Sequence, residues 1–127
     1  MRFIEDLRIP FTELSGCDAD LTEEERAIQH AMHRFAIDVM RPNGAEIDKM
    51  TAEEVIEPGS LWWQTIEQFK TLGLDYKSTD GMDPKSAARM MAIVYEELSW
   101  GDIGLAFSAL VAGFPAMAAH AAGRDDL

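Results

Sequence analysis

Apolar positions recur at helical spacing through most of the chain. Ile28, Met32, Phe35 and Val39 follow at steps of four, three and four, with Ala31 and Ala36 beside them, which predicts one apolar stripe on an amphipathic helix. That helix should begin near Thr22. Thr22 and Glu25 have capping-box spacing, and Glu23, Glu24 and Glu25 suit the positive end of a helix dipole. Pro42 and Gly44 should break or kink it, with a short continuation through Ala45, Glu46, Ile47 and Asp48. Thr51 and Glu54 repeat the capping-box spacing ahead of a short helix that Pro58-Gly59 ends. Ser60 then stands as the cap of a clear helix from Leu61 to Leu72, with Trp62, Ile66, Phe69 and Leu72 inward and Gly73 as a left-handed stop.

Residues 74–83 are polar and turn-rich, the one notable internal loop. Asp83-Pro84 opens the next helix, Asp as cap and Pro at the first helical position. Ala87, Met91, Val94 and Leu98 define its inner stripe, widened by Met90 and Tyr95. Trp100-Gly101-Asp102 makes a turn. The last helix runs from about Ile103 to Ala122, apolar on nearly all sides, so other elements should surround it. Pro115 lies inside it and Gly123 ends it. No useful β alternation appears. The expected fold is all-α, a bundle of four main helices plus short helical pieces, with residues 1–20 an N-terminal arm and residues 21–127 one helical domain.

Composition narrows the partners. The 127 residues are 47% hydrophobic, enough for a packed core. Lys plus Arg number 11 against 23 Asp plus Glu, a formal charge of -12. Nucleic acid is therefore not an expected partner, since its phosphates would be repelled, and an anionic membrane surface is disfavoured for the same reason. The stretch Ile103 to Gly123 has no Asp, Glu, Lys or Arg, but its Ala, Gly, Pro115 and His120 fit a helix inside protein better than a membrane span. The beginning, Met1 to Asp6, lacks the apolar core of a signal peptide. The single cysteine, Cys17, fits a reducing, cytoplasmic setting and reads as an incidental loop residue.

Candidate chemistry is sparse. His30 and His33 are three apart and share a helix face, but a metal site needs three or four ligands, and the position one turn before His30 holds Arg26, a cation. The expectation is solvent-facing histidines and no metal. His120 reads as a core or interface histidine. Glu96 and Glu97 are adjacent, so their side chains diverge by about 100° and should be solvated or salt-bridged rather than a catalytic pair. Trp62 should be core and Trp63 at its edge. No nucleophile elbow, phosphate-binding loop or complete catalytic set is present.

The ordered set of elements resembles a known family. Leu21-Thr22-Glu23-Glu24-Glu25-Arg26 opens a long helix reaching Phe35-Ala36, then Pro42 and Asp48. A second helix ends in Leu72-Gly73-Leu74. A third carries Tyr95-Glu96-Glu97-Leu98-Ser99 before Trp100-Gly101-Asp102. A fourth, rich in Ala and Gly with Pro115, precedes Gly123-Arg124-Asp125-Asp126-Leu127. Over residues 21–127 this is similar to the N-terminal helical domain of acyl-CoA dehydrogenases. The resemblance implies a flavoenzyme that uses FAD to remove hydrogens from the α and β carbons of an acyl-CoA thioester. In that family the catalytic base and most flavin contacts lie in a middle β-domain and a C-terminal helical domain. No catalytic or FAD-binding residue is therefore carried over, and no cofactor is expected on this chain by itself. The family's fourth helix lines the far end of the acyl cavity, which implies Phe107 and Val111, with Phe114 next along, as part of such a wall; ordinary core packing is the competing role. The segment Asp75 to Met82 departs from the Pro-Glu-x-x-Gly-Gly loop common in the family, and Pro115 to Gly123 is longer than the commonest spacing.

Two function classes follow. One is the N-terminal domain or a small subunit of an acyl-CoA dehydrogenase-like enzyme, working in a homo-oligomer or with a partner chain that carries the remaining domains and acyl-CoA. The other is a non-catalytic helical module that kept the fold and serves interaction or oligomerisation. Under either, a four-helix domain has too few elements to cover its last helix, so bare apolar surface and self-association are expected.

Overall fold

The computed structural model describes residues 21–74, 78–79 and 81–124, with the side chains of Ala112 and Ala116 left aside. The predicted arm and Cys17, part of the 74–83 loop, and Asp125 to Leu127 lie outside the described residues. Within them the chain is helical, with no strand: α1 (Glu23–Phe35), a π-helical turn (Ala36–Met40), α2 (Arg41–Ile47), α3 (Ala52–Ile56), α4 (Leu61–Lys70), α5 (Pro84–Gly101) and α6 (Ile103–Ala121). The all-α class with four main helices and short pieces is as expected.

The helix starts follow their capping residues. Thr22 and Glu25 form the reciprocal box at α1, with Thr22 N–H donating to the Glu25 carboxylate at 2.7 Å and Glu25 N–H to the Thr22 hydroxyl at 3.2 Å. Thr51 and Glu54 do the same at α3, and the bonds to Thr51 hold the Glu54 carboxyl below its ordinary pKa. Asp83 accepts from the backbone N–H groups of Lys85 and Ser86 at the start of α5, with Pro84 behind it as predicted. Gly73, at φ 68°, stops the α4 segment where a left-handed residue was expected. Ser60 differs: it occupies the cap position of α4, but its hydroxyl donates to the Val55 carbonyl at 2.6 Å and makes no capping bond.

Of the break or kink expected at Pro42, the break does not occur. The first helix passes through Pro42 into α2, and the irregularity is the π turn before it, where Arg41 N–H reaches back to the Ala36 carbonyl. Pro42 has no N–H to give the Asp38 carbonyl, and its ring would crowd that group in a regular α-helix. The wider turn carries the chain past this position without a break.

α1 and α5 run side by side in the same direction, since Glu25 meets Arg89, His33 meets Glu97 and Ala36 faces Gly101. Met32, Met40, Val94, Leu98, Leu105 and Ala106 form the core between them and the start of α6, with Phe35, Trp62, Phe69 and Leu72 packed around it. The α5 stripe is rotated from the sequence reading. Met90, Ile93, Val94, Glu97 and Leu98 are buried, whereas Tyr95 is exposed and only partly desolvated, which raises its phenol pKa.

α6 meets one expectation, bare apolar surface on the last helix, and departs from another. The expectation that other elements surround it holds only for its first turns, where Leu105 and Ala106 are buried. α6 is the one helix among the described residues long and apolar enough to cross a membrane, and only 12% of that stretch is buried. The reason is geometric: among the described residues α5 and α4 are the main neighbours of α6, and two helices cannot encircle a third.

Candidate functional site

The α5–α6 corner sets the direction of α6. Asp102 ends α5 and caps α6, its Oδ1 accepting from Leu105 N–H at 2.8 Å. The same carboxylate lies against Gly44 of α2, so closely that a Cβ there would overlap its other oxygen and fall 2.9 Å from Cγ. Gly101 likewise lets the corner approach the π turn, since a Cβ on it would sit 2.8 Å from the Ala36 Cβ. Two glycines on different helices thus bring the start of α6 against the core.

From that anchored start, α6 presents two unlike faces. Phe107, Val111 and Phe114, the residues the family resemblance implied as an acyl-cavity wall, fall on one side at steps of four and three, together with Ile103 and Met117. All five are exposed in this chain, Phe107 at 63% and Phe114 at 56%. The core-packing alternative for Phe107, Val111 and Phe114 therefore does not hold within the chain. Chemically the face offers aromatic and aliphatic surface with no ionised group, which suits an alkyl chain or another apolar surface. His120, read as a core or interface histidine, is exposed near the end of the same helix.

The histidines separate. His30 is exposed as expected, but His33 is not solvent-facing: its Nδ1 lies 2.6 Å from Glu97 Oε2, with side chains only 16% and 5% exposed. Its ring stacks on Trp100 at 4.5 Å, and the Arg41 guanidinium sits 4.6 Å from the Trp100 ring while donating to the Trp100 carbonyl. Glu96 is exposed and Glu97 buried, so the pair diverges as its spacing required. This cluster joins α1, α2 and α5 and was not foreseen. The register of α5 carried the signal, because Glu97 stands seven residues after buried Met90 and three after buried Val94. Asn43 donating to Thr65 at 2.8 Å is a second, part-buried polar link, between α2 and α4, that spacing did not announce. No group of three metal-ligating side chains exists among the described residues.

A groove of about 480 Å3 runs over α1 and the π turn, lined by Ala27, His30, Ala31, Arg34, Phe35, Asp38 and Val39. All seven belong to one continuous helical run, so the groove has no facing wall and cannot enclose an isoalloxazine ring. This groove by itself is therefore not a closed flavin site. The exposed face of α6 fits one apolar wall.

No curated protein and no solved structure matches the chain. The sequence does match the family described as acyl-CoA dehydrogenase, N-terminal domain, over residues 22–127, a span that opens on the Thr22 cap and takes in all six helices. The order of helices and this match agree, and the chain belongs to the acyl-CoA dehydrogenase family as its N-terminal domain.

Proposed function

We propose that this chain serves as the N-terminal helical domain, or a small subunit, of a cytoplasmic flavoenzyme that oxidises an acyl-CoA thioester between its α and β carbons. The observation that carries the reading, beside the family, is the row of bare apolar side chains on α6. Phe107, Val111 and Phe114 would form the far wall of the acyl cavity once the remaining domains, in the same assembly or on a partner chain, close over them. Their role is to bind and to exclude water: each methylene taken from water into such a wall contributes about 0.8 kcal/mol. FAD, held by those other domains, supplies the hydride acceptor. No proton or hydride step is assigned to residues of this chain.

The test is co-expression of the chain with the reading frame beside it. Flavin absorption and acyl-CoA oxidation with an artificial electron acceptor should appear in the assembly and be absent from the chain alone. Phe107→Ser and Phe114→Ser should raise KM most for long acyl chains, with kcat for short ones little changed. A colourless assembly without activity would remove the reading.

A further inference from the structure

We infer that Asn43 is a site of spontaneous modification: its side-chain amide is lost to attack by the Gly44 backbone nitrogen when α2 opens, and the folded corner of α2, α4 and α6 keeps that reaction slow. Asn43 is the only asparagine of the chain, and a glycine follows it. Two unrelated packing requirements put these residues side by side. Gly44 is required because a Cβ there would overlap the Asp102 carboxylate. Asn43 is required by Thr65. The Thr65 hydroxyl donates to the Leu61 carbonyl at 2.7 Å, so it faces α2 with lone pairs, and the Asn43 amide donates to it at 2.8 Å.

The chemistry needs only water. Hydroxide takes the proton of the Gly44 nitrogen, which bonds to Asn43 Cγ. The Cγ–Nδ2 bond breaks, and Nδ2 recovers a proton and leaves as ammonia. The five-membered imide adds water at either carbonyl and opens to aspartate, or to isoaspartate, whose main chain runs through the former side chain. Nothing is oxidised or reduced. Glycine hinders the attack least, because no side chain stands over its nitrogen.

In α2 the attack is blocked. A helical backbone directs the Gly44 N–H along the helix axis, out of line with Asn43 Cγ. Little in α2 itself keeps it helical: it has seven residues, and Asn43 and Gly44 are both poor helix formers. Contacts to other helices hold it, namely the bond to Thr65, which is 2% exposed, and the close approach of Gly44 to Asp102. The rate of loss therefore follows the fraction of time that α2 is open. Either product suits the corner poorly. It puts a carboxylate where Thr65 needs an N–H, next to the Asp102 carboxylate that already lies on Gly44. Isoaspartate also adds a methylene to the main chain and moves Gly44 out of its place.

The full chain is incubated in mildly alkaline buffer, folded and in parallel in urea, and followed by intact mass and by peptide mapping around residue 43. In urea a gain of one dalton should accumulate at Asn43, part of it as isoaspartate. In the folded chain the same gain should be at least about tenfold slower. Thr65→Val removes the acceptor and nearly keeps the shape, so it should speed the loss severalfold in the folded chain and leave the rate in urea unchanged. Asn43→Asp should lower the thermal midpoint by roughly 4 °C, the shift for one lost hydrogen bond in a domain of this size. No gain at Asn43 in urea, equal rates folded and in urea, a folded rate indifferent to Thr65→Val, or an unaltered midpoint in Asn43→Asp would each overturn the inference. Neither flavin nor substrate enters these measurements, so their outcome is separate from that of the flavoenzyme reading.

Discussion

The Nδ1 of His33 lies 2.6 Å from the carboxylate of Glu97, tying α1 to α5 across 64 residues of sequence. Glu97 is 5% exposed at its side chain, so its carboxyl cannot turn to water if the imidazole is lost. His33→Ala should therefore cost about 2 kcal/mol in urea unfolding, in the range for leaving a buried hydrogen-bonding group without its partner. Glu97→Gln keeps a hydrogen-bonding side chain and should cost nearer 1 kcal/mol. A double-mutant cycle for His33→Ala with Glu97→Ala should give a coupling above roughly 1 kcal/mol, and additive losses would show that the contact contributes nothing of its own.

Gly44 and Asp102 make a second long-range pair with a different logic. Gly44→Ala places a methyl inside the space of the Asp102 carboxylate and must displace the α6 cap. The expected cost is about 2 kcal/mol, overpacking and cap loss combined. Asp102→Ala loses the cap but clears the space, so Gly44→Ala added to Asp102→Ala should cost much less than Gly44→Ala in the unaltered chain. Thermal unfolding of the four proteins checks this, and strict additivity would mean that the methyl is accommodated some other way.

These two pairs mark what the sequence could and could not tell. The caps at Thr22, Thr51 and Asp83 were legible because capping is local: donor and acceptor stand two or three residues apart. The stripe Ile28, Met32, Phe35 was legible because burial follows the helical period. The partner of His33 and the reason for Gly44 were not, because each depends on which residue of a distant helix arrives opposite. The rotation of the α5 stripe toward Glu97, away from Tyr95, has the same origin. For the candidate site, Phe107, Val111 and Phe114 could be placed on one face from their spacing. That part of α6 would be bare followed from the small number of helices; which face is bare required knowing where α5 and α4 pack on it.

The Asp83 cap gives a pH prediction. Hydrogen bonding from Ser86, side chain and backbone, and then from the Lys85 backbone, holds the Asp83 carboxyl below its ordinary pKa. A carboxyl lowered in the folded state contributes stability that is present above its unfolded pKa, about 3.9, and lost as pH falls through the lowered folded value. Unfolding midpoints should therefore decline below about pH 4. Asp83→Asn retains a capping oxygen without the titration, so it should flatten part of that decline while changing neutral-pH stability little. An identical acid limb in the variant would assign the decline to other carboxylates.

Leu105 and Phe107 stand two residues apart on α6 and should respond oppositely to substitution. Leu105 is 5% exposed in the core, so Leu105→Ala should cost about 2–5 kcal/mol through lost burial and the cavity left behind. Phe107 is larger and more apolar by area, yet 63% exposed, so Phe107→Ser should change the stability of the monomeric chain by less than about 0.5 kcal/mol. Chemical denaturation at concentrations low enough to keep the chain monomeric makes the comparison. A large loss at Phe107 under those conditions would mean that its ring is covered within the chain, and the apolar face of α6 would then belong to the fold rather than to a partner or a substrate.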